Sequence, residues 1–143
     1  GIVCGAEQTQ VSKSETSMIL VIDDDIATCM IIRSMVERMG MACDVAHSSE
    51  EAVEAISRRL YAVVFIDTFL PSSTGWDLAS EIHRHLNGAQ MPKMVGMSTS
   101  NKADIRCLCL EAGMENVFLK PVLRIDLESA IRGGRSKRPS SKS

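Results

Sequence analysis

The run Ala62-Val63-Val64-Phe65-Ile66-Asp67 decides the fold of this chain. Its consecutive apolar residues, rich in β-branched side chains, indicate a strand that is covered on both faces, as in a parallel sheet. The run ends in a carboxylate, and the Pro/Ser/Gly-rich stretch 71–75 that follows is typical of a loop. The sequence therefore predicts a buried strand that carries an acid at its carboxyl end.

Other apolar runs lie on both sides of this strand, at Met18–Ile22, Ala42–Ala46, Met94–Met97 and Val117–Leu119. Each of the five runs is followed by apolar residues at helical spacing. The first helical pattern stops at Gly40, and the second begins with the capping-box pattern Ser48-x-x-Glu51. The apolar positions of the five helices are Cys29, Ile32, Val36 and Met39; Ala52, Ile56 and Leu60; Leu78, Ile82 and Leu86; Ile105, Leu108, Cys109 and Ala112; and Leu123, Leu127, Ala130 and Ile131.

Five alternating strand–helix units predict an α/β protein with a doubly wound, five-stranded parallel sheet and helices on both faces. A closed eightfold barrel needs roughly 200 residues or more, and this chain has 143. We assign residues 18–132 to one domain, residues 1–17 to a disordered leader or linker, and residues 133–143 to a disordered basic tail. The tail composition favours a solvated linker over a nucleic-acid contact.

Composition argues against several classes of protein. No apolar run approaches the roughly 18–20 residues that span a bilayer, and the first residues lack a signal-peptide pattern. The five cysteines are odd in number and have no C-x-x-C spacing, which argues against a disulfide framework or a zinc site. Cys29, Cys107 and Cys109 fall in helical patterns, where cysteine acts as a small hydrophobe. Reduced thiols in the cytoplasm are the simplest interpretation.

Four of the five predicted strands end in polar residues. These are Asp23-Asp24-Asp25 after the first, Asp67 after the third, Ser98-Thr99-Ser100 after the fourth, and Lys120-Pro121 after the fifth. The carboxyl ends of parallel strands meet at one edge of the sheet, where ligands bind. Crowded carboxylates repel one another unless a cation intervenes, and all-oxygen clusters suit Mg²⁺. A carboxylate, a metal, a lysine and a hydroxyl together predict phosphoryl transfer to an aspartate.

The segments ILVIDDD, FIDTFLPSSTGWDL, GMSTS and FLKP resemble, in order and spacing, the receiver domains of bacterial, fungal and plant response regulators. The match runs from about Met18 to Arg132. This resemblance implies a flavodoxin-like strand order, 2-1-3-4-5, in a (βα)5 three-layer sandwich. It also implies a two-component or phosphorelay signalling switch that catalyses its own phosphorylation and dephosphorylation.

The resemblance implies a metal site and its ligands. Asp24 would hold Mg²⁺ directly and Asp23 through water, with Mn²⁺ as a substitute ion. Asp67 and the backbone carbonyl of Phe69 would complete the protein ligands.

The resemblance also implies which residues carry the chemistry. Asp67 would be the phosphoacceptor, Ser98 the switch hydroxyl, and Lys120 the cation that pairs with phosphoryl oxygens. The Lys120–Pro121 peptide bond would be cis, a state found in about 5–6% of X-Pro bonds in folded proteins.

The implied partner is a histidine kinase or a histidine phosphotransfer domain. The implied readout surface comprises the fourth helix, the fifth strand and the fifth helix, which would contact an output domain or a second copy of the chain. Val117 stands where receivers commonly have an aromatic residue, so we expect the signal to pass through the loop after Ser98 and the fourth helix. We expect no membrane partner and no nucleic-acid partner within this chain. The polar ends favour a segment of a hybrid kinase or longer regulator over a stand-alone receiver.

Several polar residues have simpler explanations than chemistry. Asp25 is either an N-cap or part of the acidic cluster, and Thr99 and Ser100 are expected to cap the fourth helix. His83 and His85 are two positions apart and do not share a helix face, so we expect surface histidines, and His47 an ordinary loop histidine. Phe69 lies where a hydrolytic water would approach the acyl phosphate, and our hypothesis is that it shields that bond.

Two other functions compete with a phosphorylated receiver. A haloacid-dehalogenase-like phosphatase would carry a second acid two residues after the nucleophile, where this chain has Phe69. An unphosphorylated pseudo-receiver that serves only for protein interaction usually lacks the acceptor, an acidic partner or the lysine, all of which are present here.

Overall fold

A computed structural model describes residues 18–86 and 88–133. The expected leader, 1–17, and the expected basic tail apart from Gly133 lie outside these residues. The strands of the main sheet are β1 (Met18–Ile22), β2 (Ala42–Ala46), β3 (Val63–Asp67), β4 (Lys93–Ser98) and β5 (Asn116–Leu119). The α-helices of the described residues are α1 (Ile26–Arg38), α2 (Ser49–Arg58), α3 (Gly75–His85), α4 (Ala103–Glu111) and α5 (Arg124–Arg132).

The five strands are all parallel and lie in the order β2-β1-β3-β4-β5. Strand β3 is central, and every residue of it is buried. The order reverses between β1 and β3, so the loops after these two strands open side by side at the carboxyl edge. The predicted doubly wound α/β fold is confirmed.

Two hydrophobic cores lie on opposite faces of the sheet because successive strand residues point to opposite sides. In β3, Val64 and Ile66 belong to one core, whereas Val63 and Phe65 belong to the other. The first core is covered by α2, α3 and α4, and the second by α1 and α5. Burying a side chain as large as Phe65 completely stabilises the fold by about 1.5–3 kcal/mol.

Short polar side chains cap the first turns of α1 and α2. Asp25 caps α1, since its carboxylate accepts a hydrogen bond from the Thr28 amide. Ser48 caps α2 through the Glu51 amide. The carboxylate of Glu51 binds the amide of His47 rather than that of Ser48, so the predicted capping box is only half formed. Each cap satisfies a backbone donor that the first helical turn leaves unpaired.

The expectation that Thr99 and Ser100 cap the fourth helix is wrong. The N-cap of α4 is Lys102, and no side chain caps that helix end. Ser100 Oγ accepts instead from the Lys102 amide, at 3.2 Å. A short loop therefore separates β4 from α4, and its hydroxyls bind within the loop.

Other positions also differ from expectation, and one is Leu60, which lies beyond the end of α2 and is 40% exposed. Leu86 is the C-cap of α3 rather than a helical residue. Cys107 is exposed on α4, while Cys29, Cys43 and Cys109 are buried. The apolar pattern of α4 does not distinguish its buried side from its exposed side, because apolar residues such as Leu108 and Leu110 are also exposed on this helix.

The segment predicted as a loop after β3 contains a small antiparallel hairpin. Phe69–Leu70 pairs with Ser73–Thr74, and Pro71 fits the second position of the connecting turn. Gly75 follows the hairpin, and its amide donates to the Thr68 carbonyl at 2.7 Å. A Cβ at Gly75 would collide with the backbone carbonyl oxygen of Asp67, so this position requires glycine.

We expect Gly75→Ala to destabilise the protein by about 1–3 kcal/mol, because the added methyl must displace the backbone at Asp67. Gly88→Ala is the matched control, since a Cβ there meets no atom within 4 Å. Chemical denaturation of both variants measures the difference. Equal stabilities of the two variants would contradict the close packing at Gly75.

Candidate active site

The carboxyl edge of the sheet brings three acids together. Asp23 and Asp24 follow β1, Asp67 ends β3, and one carboxylate oxygen of each lies within 4.8 Å of the other two. Asp23 is completely buried, and Asp67 is 8% exposed, whereas Asp24 is open to solvent. Two acids of this cluster are therefore buried, and the third, Asp24, faces solvent.

Lys120, at the end of β5, reaches into this cluster. Its Nζ lies 2.7 Å from Asp23 Oδ2 and 3.3 Å from Asp67 Oδ1. Its backbone amide donates to the Ser98 carbonyl at 2.7 Å, which joins the ends of β4 and β5. The peptide bond from Lys120 to Pro121 is cis. Acids and lysine therefore meet in space although 97 residues separate Asp23 from Lys120.

The electrostatics show more negative than positive charge at this edge. Burial, followed by the neighbouring Asp23 carboxylate, raises the pKa of Asp67 to about 6, against the opposing effect of Lys120. Burial by itself would lower the pKa of Lys120, but its bonds to Asp23 and Asp67 outweigh burial and raise that pKa. A second cation at this site would favour ionisation of Asp67.

Ser98, the last residue of β4, is buried at the same edge. Its Oγ accepts a hydrogen bond from the Ser100 amide at 3.0 Å. A hydroxyl that accepts in this way keeps its own proton for donation. The preceding residue, Met97, is bound to the segment after β3, because its carbonyl accepts a hydrogen bond from the Thr68 amide at 2.9 Å.

A family model described as the response regulator receiver domain matches residues 19–132. The chain belongs to this receiver family.

Individual relatives agree with this membership. The receiver is 30% identical over 104 residues to the aerobic respiration control sensor protein ArcB of Escherichia coli (strain K12), which covers 73% of this chain and 13% of ArcB. It is 30% identical over 112 residues to the sensor histidine kinase RcsC of the same strain, covering 78% of this chain and 12% of RcsC. The chain thus spans only a small part of the length of these relatives.

The fold agrees as well. The solved structure of a receiver domain (CheY-like) from Methylobacillus flagellatus superposes with a TM-score of 0.74 and 27% identity, covering 82% of this chain and 98% of that one. In the described part of this receiver, no helix has the length and apolar character to cross a membrane.

The acidic cluster fits the divalent cation that receivers use. Hard cations such as Mg²⁺ take oxygen ligands, and Asp23, Asp24 and Asp67 each offer a carboxylate oxygen to a common point. Burial, followed by the Asp23 carboxylate, raises the pKa of Asp67, and a bound cation would oppose both effects. The family and the residues present therefore agree on a metal-binding acidic pocket.

Phe69 and Trp76 form an aromatic pair in the segment that follows Asp67. Their ring centroids are 5.5 Å apart, and the rings meet edge to face at 81°. Phe69 is 51% exposed, and its amide donates to Asp67 Oδ1 at 3.4 Å. Its carbonyl as a metal ligand stays a prediction. No sequence signal pointed to Trp76, because the pair arises from the unforeseen hairpin.

The histidines divide into two groups. His83 and His85 are both exposed, as expected. His83 lies next to Gly113, and His85 lies 3.8 Å from Glu81 on the same helix. His47 is more than the ordinary loop residue that we expected, since its Nδ1 lies 3.1 Å from the Asp23 carbonyl oxygen. Its position directly after the second strand was the signal available in the sequence.

Proposed function

We propose that this receiver accepts a phosphoryl group on Asp67 from a phosphohistidine donor, in a reaction that depends on Mg²⁺, and that phosphorylation switches a protein-interaction surface. The supporting observation is the meeting of Asp23, Asp24 and Asp67 with the Lys120 ammonium at one edge. We assign Asp67 as acceptor, Lys120 and Ser98 as groups that bind the phosphoryl oxygens, and Asp23, Asp24, Asp67 and the Phe69 carbonyl as metal ligands.

In the proposed transfer, the chain supplies the nucleophile, Asp67, and a positive charge, Lys120. The Asp67 carboxylate attacks the phosphorus of the donor, the bond from phosphorus to the donor imidazole breaks, and the imidazole leaves with the electron pair. Lys120 lies beside Asp67 before the reaction, so its charge needs little rearrangement to pair with the transferred oxygens. Mg²⁺, when bound, neutralises charge on the phosphoryl oxygens. No general base is required, because an ionised carboxylate is already the nucleophile.

Phosphorylation on Asp67 is tested with a small phosphodonor such as acetyl phosphate. We expect Mg²⁺-dependent incorporation of one phosphoryl group, absent in Asp67→Asn and retained in the control Asp104→Asn, which changes an exposed acid on α4. Intact-protein mass spectrometry reads both variants. Labelling that persists in Asp67→Asn would contradict the assignment.

The same experiment separates the competing functions. A haloacid-dehalogenase-like phosphatase would release phosphate over many turnovers, and a pseudo-receiver would neither label nor release phosphate.

An apolar patch beside the acidic pocket supports a protein donor. Ile26, Met30 and Ile31 are exposed by 62%, 65% and 60%, and α1 begins directly after the Asp23–Asp25 turn. Exposed apolar patches commonly mark interaction sites. A histidine kinase or histidine phosphotransfer domain that seats on this patch has its phosphohistidine near Asp67.

We expect Met30→Glu to slow phosphotransfer from such a donor domain by at least about tenfold, the effect of losing roughly 1.4 kcal/mol of binding. Labelling by acetyl phosphate should be unchanged, because the small donor needs no docking surface. Leu60→Glu is the control, since Leu60 is also exposed but lies before β3, at the opposite edge of the sheet. Equal slowing by both variants, or slowing with acetyl phosphate as well, would argue against the patch.

We propose that the readout passes from Ser98 to α4. Ser98 Oγ accepts from the Ser100 amide, and Ser100 Oγ accepts from the amide of Lys102, the N-cap of α4. A turn of Ser98 toward the phosphoryl group frees the Ser100 amide and shifts this chain of bonds. Val117 and Phe118 pack into opposite cores, so Phe118 does not replace the missing aromatic residue.

The surface reached by this signal carries exposed leucines. They are Leu119 on β5, Leu123 before α5, and Leu108 and Leu110, which are two positions apart on α4 and so lie on different sides of that helix, each 39–43% exposed. We propose this face as the contact for an output domain or a second copy. We also propose residues 18–132 as the receiver unit between a leader, 1–17, and a tail, 133–143. The free thiols of the four described cysteines fit the reducing cytoplasm.

We propose that Phe69 limits hydrolysis of the phosphorylated state, because it follows Asp67 by two positions and its half-exposed ring forms an edge-to-face pair with Trp76. We expect Phe69→Asn to lose the phosphoryl group severalfold faster than the native protein, since a small polar side chain admits water. Leu110→Asn, an exposed apolar residue on α4, is the control. Decay after donor removal is followed by mass spectrometry, and equal or slower decay in Phe69→Asn would refute shielding.

A further inference from the structure

His47 and Cys29 enclose a backbone carbonyl in the acidic pocket. His47 Nδ1 lies 3.1 Å and Cys29 Sγ 3.3 Å from the carbonyl oxygen of Asp23, and the two side-chain atoms are 3.8 Å apart. Asp23 is completely buried. A buried carbonyl without a partner costs free energy comparable to a lost hydrogen bond. The two contacts therefore stabilise the buried peptide group at Asp23, and neither His47 nor Cys29 belongs to the site proposed above.

The geometry determines which atoms carry protons. A carbonyl oxygen only accepts hydrogen bonds, so a favourable contact requires a proton on His47 Nδ1. The Cys29 thiol, whose Sγ lies 3.3 Å from the same oxygen, also donates to the carbonyl.

The remaining polar atoms of Asp23 are also paired. Its amide donates to the Ala46 carbonyl at 3.0 Å, Oδ1 accepts from the Asp25 amide at 2.9 Å, and Oδ2 binds Lys120. The side chain and backbone of Asp23 are thus held from several directions. The two donors on the carbonyl fix the peptide group that leads directly to Asp24.

The backbone of His47 is itself anchored. Its amide donates to Glu51 Oε1 at 2.8 Å, and the next residue, Ser48, caps α2. The imidazole therefore extends from a fixed point at the end of β2 toward the end of β1. The second strand, which carries no charged residue at this edge, contributes to the site through this ring.

We propose that His47, as the Nδ1–H tautomer and assisted by Cys29, is a positioning residue that holds the Asp23–Asp24 turn in the geometry for binding a divalent cation. The effect of this positioning on activity rests on the proposed function, because a displaced turn would then also slow phosphorylation of Asp67. It concerns the chain's own hydrogen bonds, so it is tested without phosphotransfer.

The tautomer of the native protein is the first test, and it requires no variant. Long-range ¹H–¹⁵N correlation spectra at pH 8 distinguish a protonated Nδ1 from a protonated Nε2. We expect His47 to show Nδ1–H with an unprotonated Nε2. A spectrum with the proton on Nε2 would overturn the proposal, because the Asp23 carbonyl would then face a lone pair.

The second test compares variants that keep or remove the donor. His47→Asn places an amide near the Nδ1 position, whereas His47→Leu has no donor. We expect Mg²⁺ affinity, measured by titration of backbone amide shifts, to fall about fivefold in His47→Leu and to be largely restored in His47→Asn. His85→Leu, which changes a surface histidine on α3, should match the native protein.

The outcomes distinguish this inference from the proposed function. Native Mg²⁺ affinity in His47→Leu, or equal losses in His47→Leu and His47→Asn, would overturn the positioning function. Failure of the native protein to accept phosphate on Asp67 would sink the proposed function alone, since the tautomer and the affinities are read without any phosphodonor.

Discussion

The site depends on an imbalance of charge: among the described residues, three carboxylates meet at one sheet edge, and Lys120 contacts two of them. Burial disfavours the ionised form of Asp67, and the nearby Asp23 carboxylate disfavours it further, so both raise the pKa of Asp67. Such a cluster persists only because the surrounding fold enforces it. The free energy that stabilises the fold comes from the two cores that pack against both faces of the central strands. This stability offsets the repulsion among the acids at the strand ends.

That constraint explains the division of labour along each strand. Residues within β3 are buried and apolar, and the acid appears only at its last position, where the sheet edge meets solvent. Gly75 shows how tightly the edge is packed, because the backbone at the start of α3 lies against the backbone carbonyl of Asp67. Packing in the core and geometry at the site are therefore linked through a few backbone contacts rather than through long side chains.

The fold and the acidic cluster could be predicted because both follow from periodic or end-of-strand patterns. Buried parallel strands are continuous apolar runs, and their carboxyl ends must share an edge. The N-cap of α4, the hairpin at Phe69 and the contact of the His47 ring with the Asp23 carbonyl could not be predicted. Each depends on the path of a short loop, where a hydroxyl or imidazole has several backbone partners within reach and tertiary packing selects one.

The position of His47 shows why a residue without charged neighbours in the sequence can still belong to a charged site. Parallel strands β1 and β2 pair in register, Ile22 with Ala46, so the residues that follow them are adjacent by construction. Beyond that point the backbone ladder ends, and the Asp23 carbonyl needs partners that no strand supplies. A side chain with a donor at the next position of β2 meets that need. The parallel register that builds the core thus also determines which loop residues support the acids.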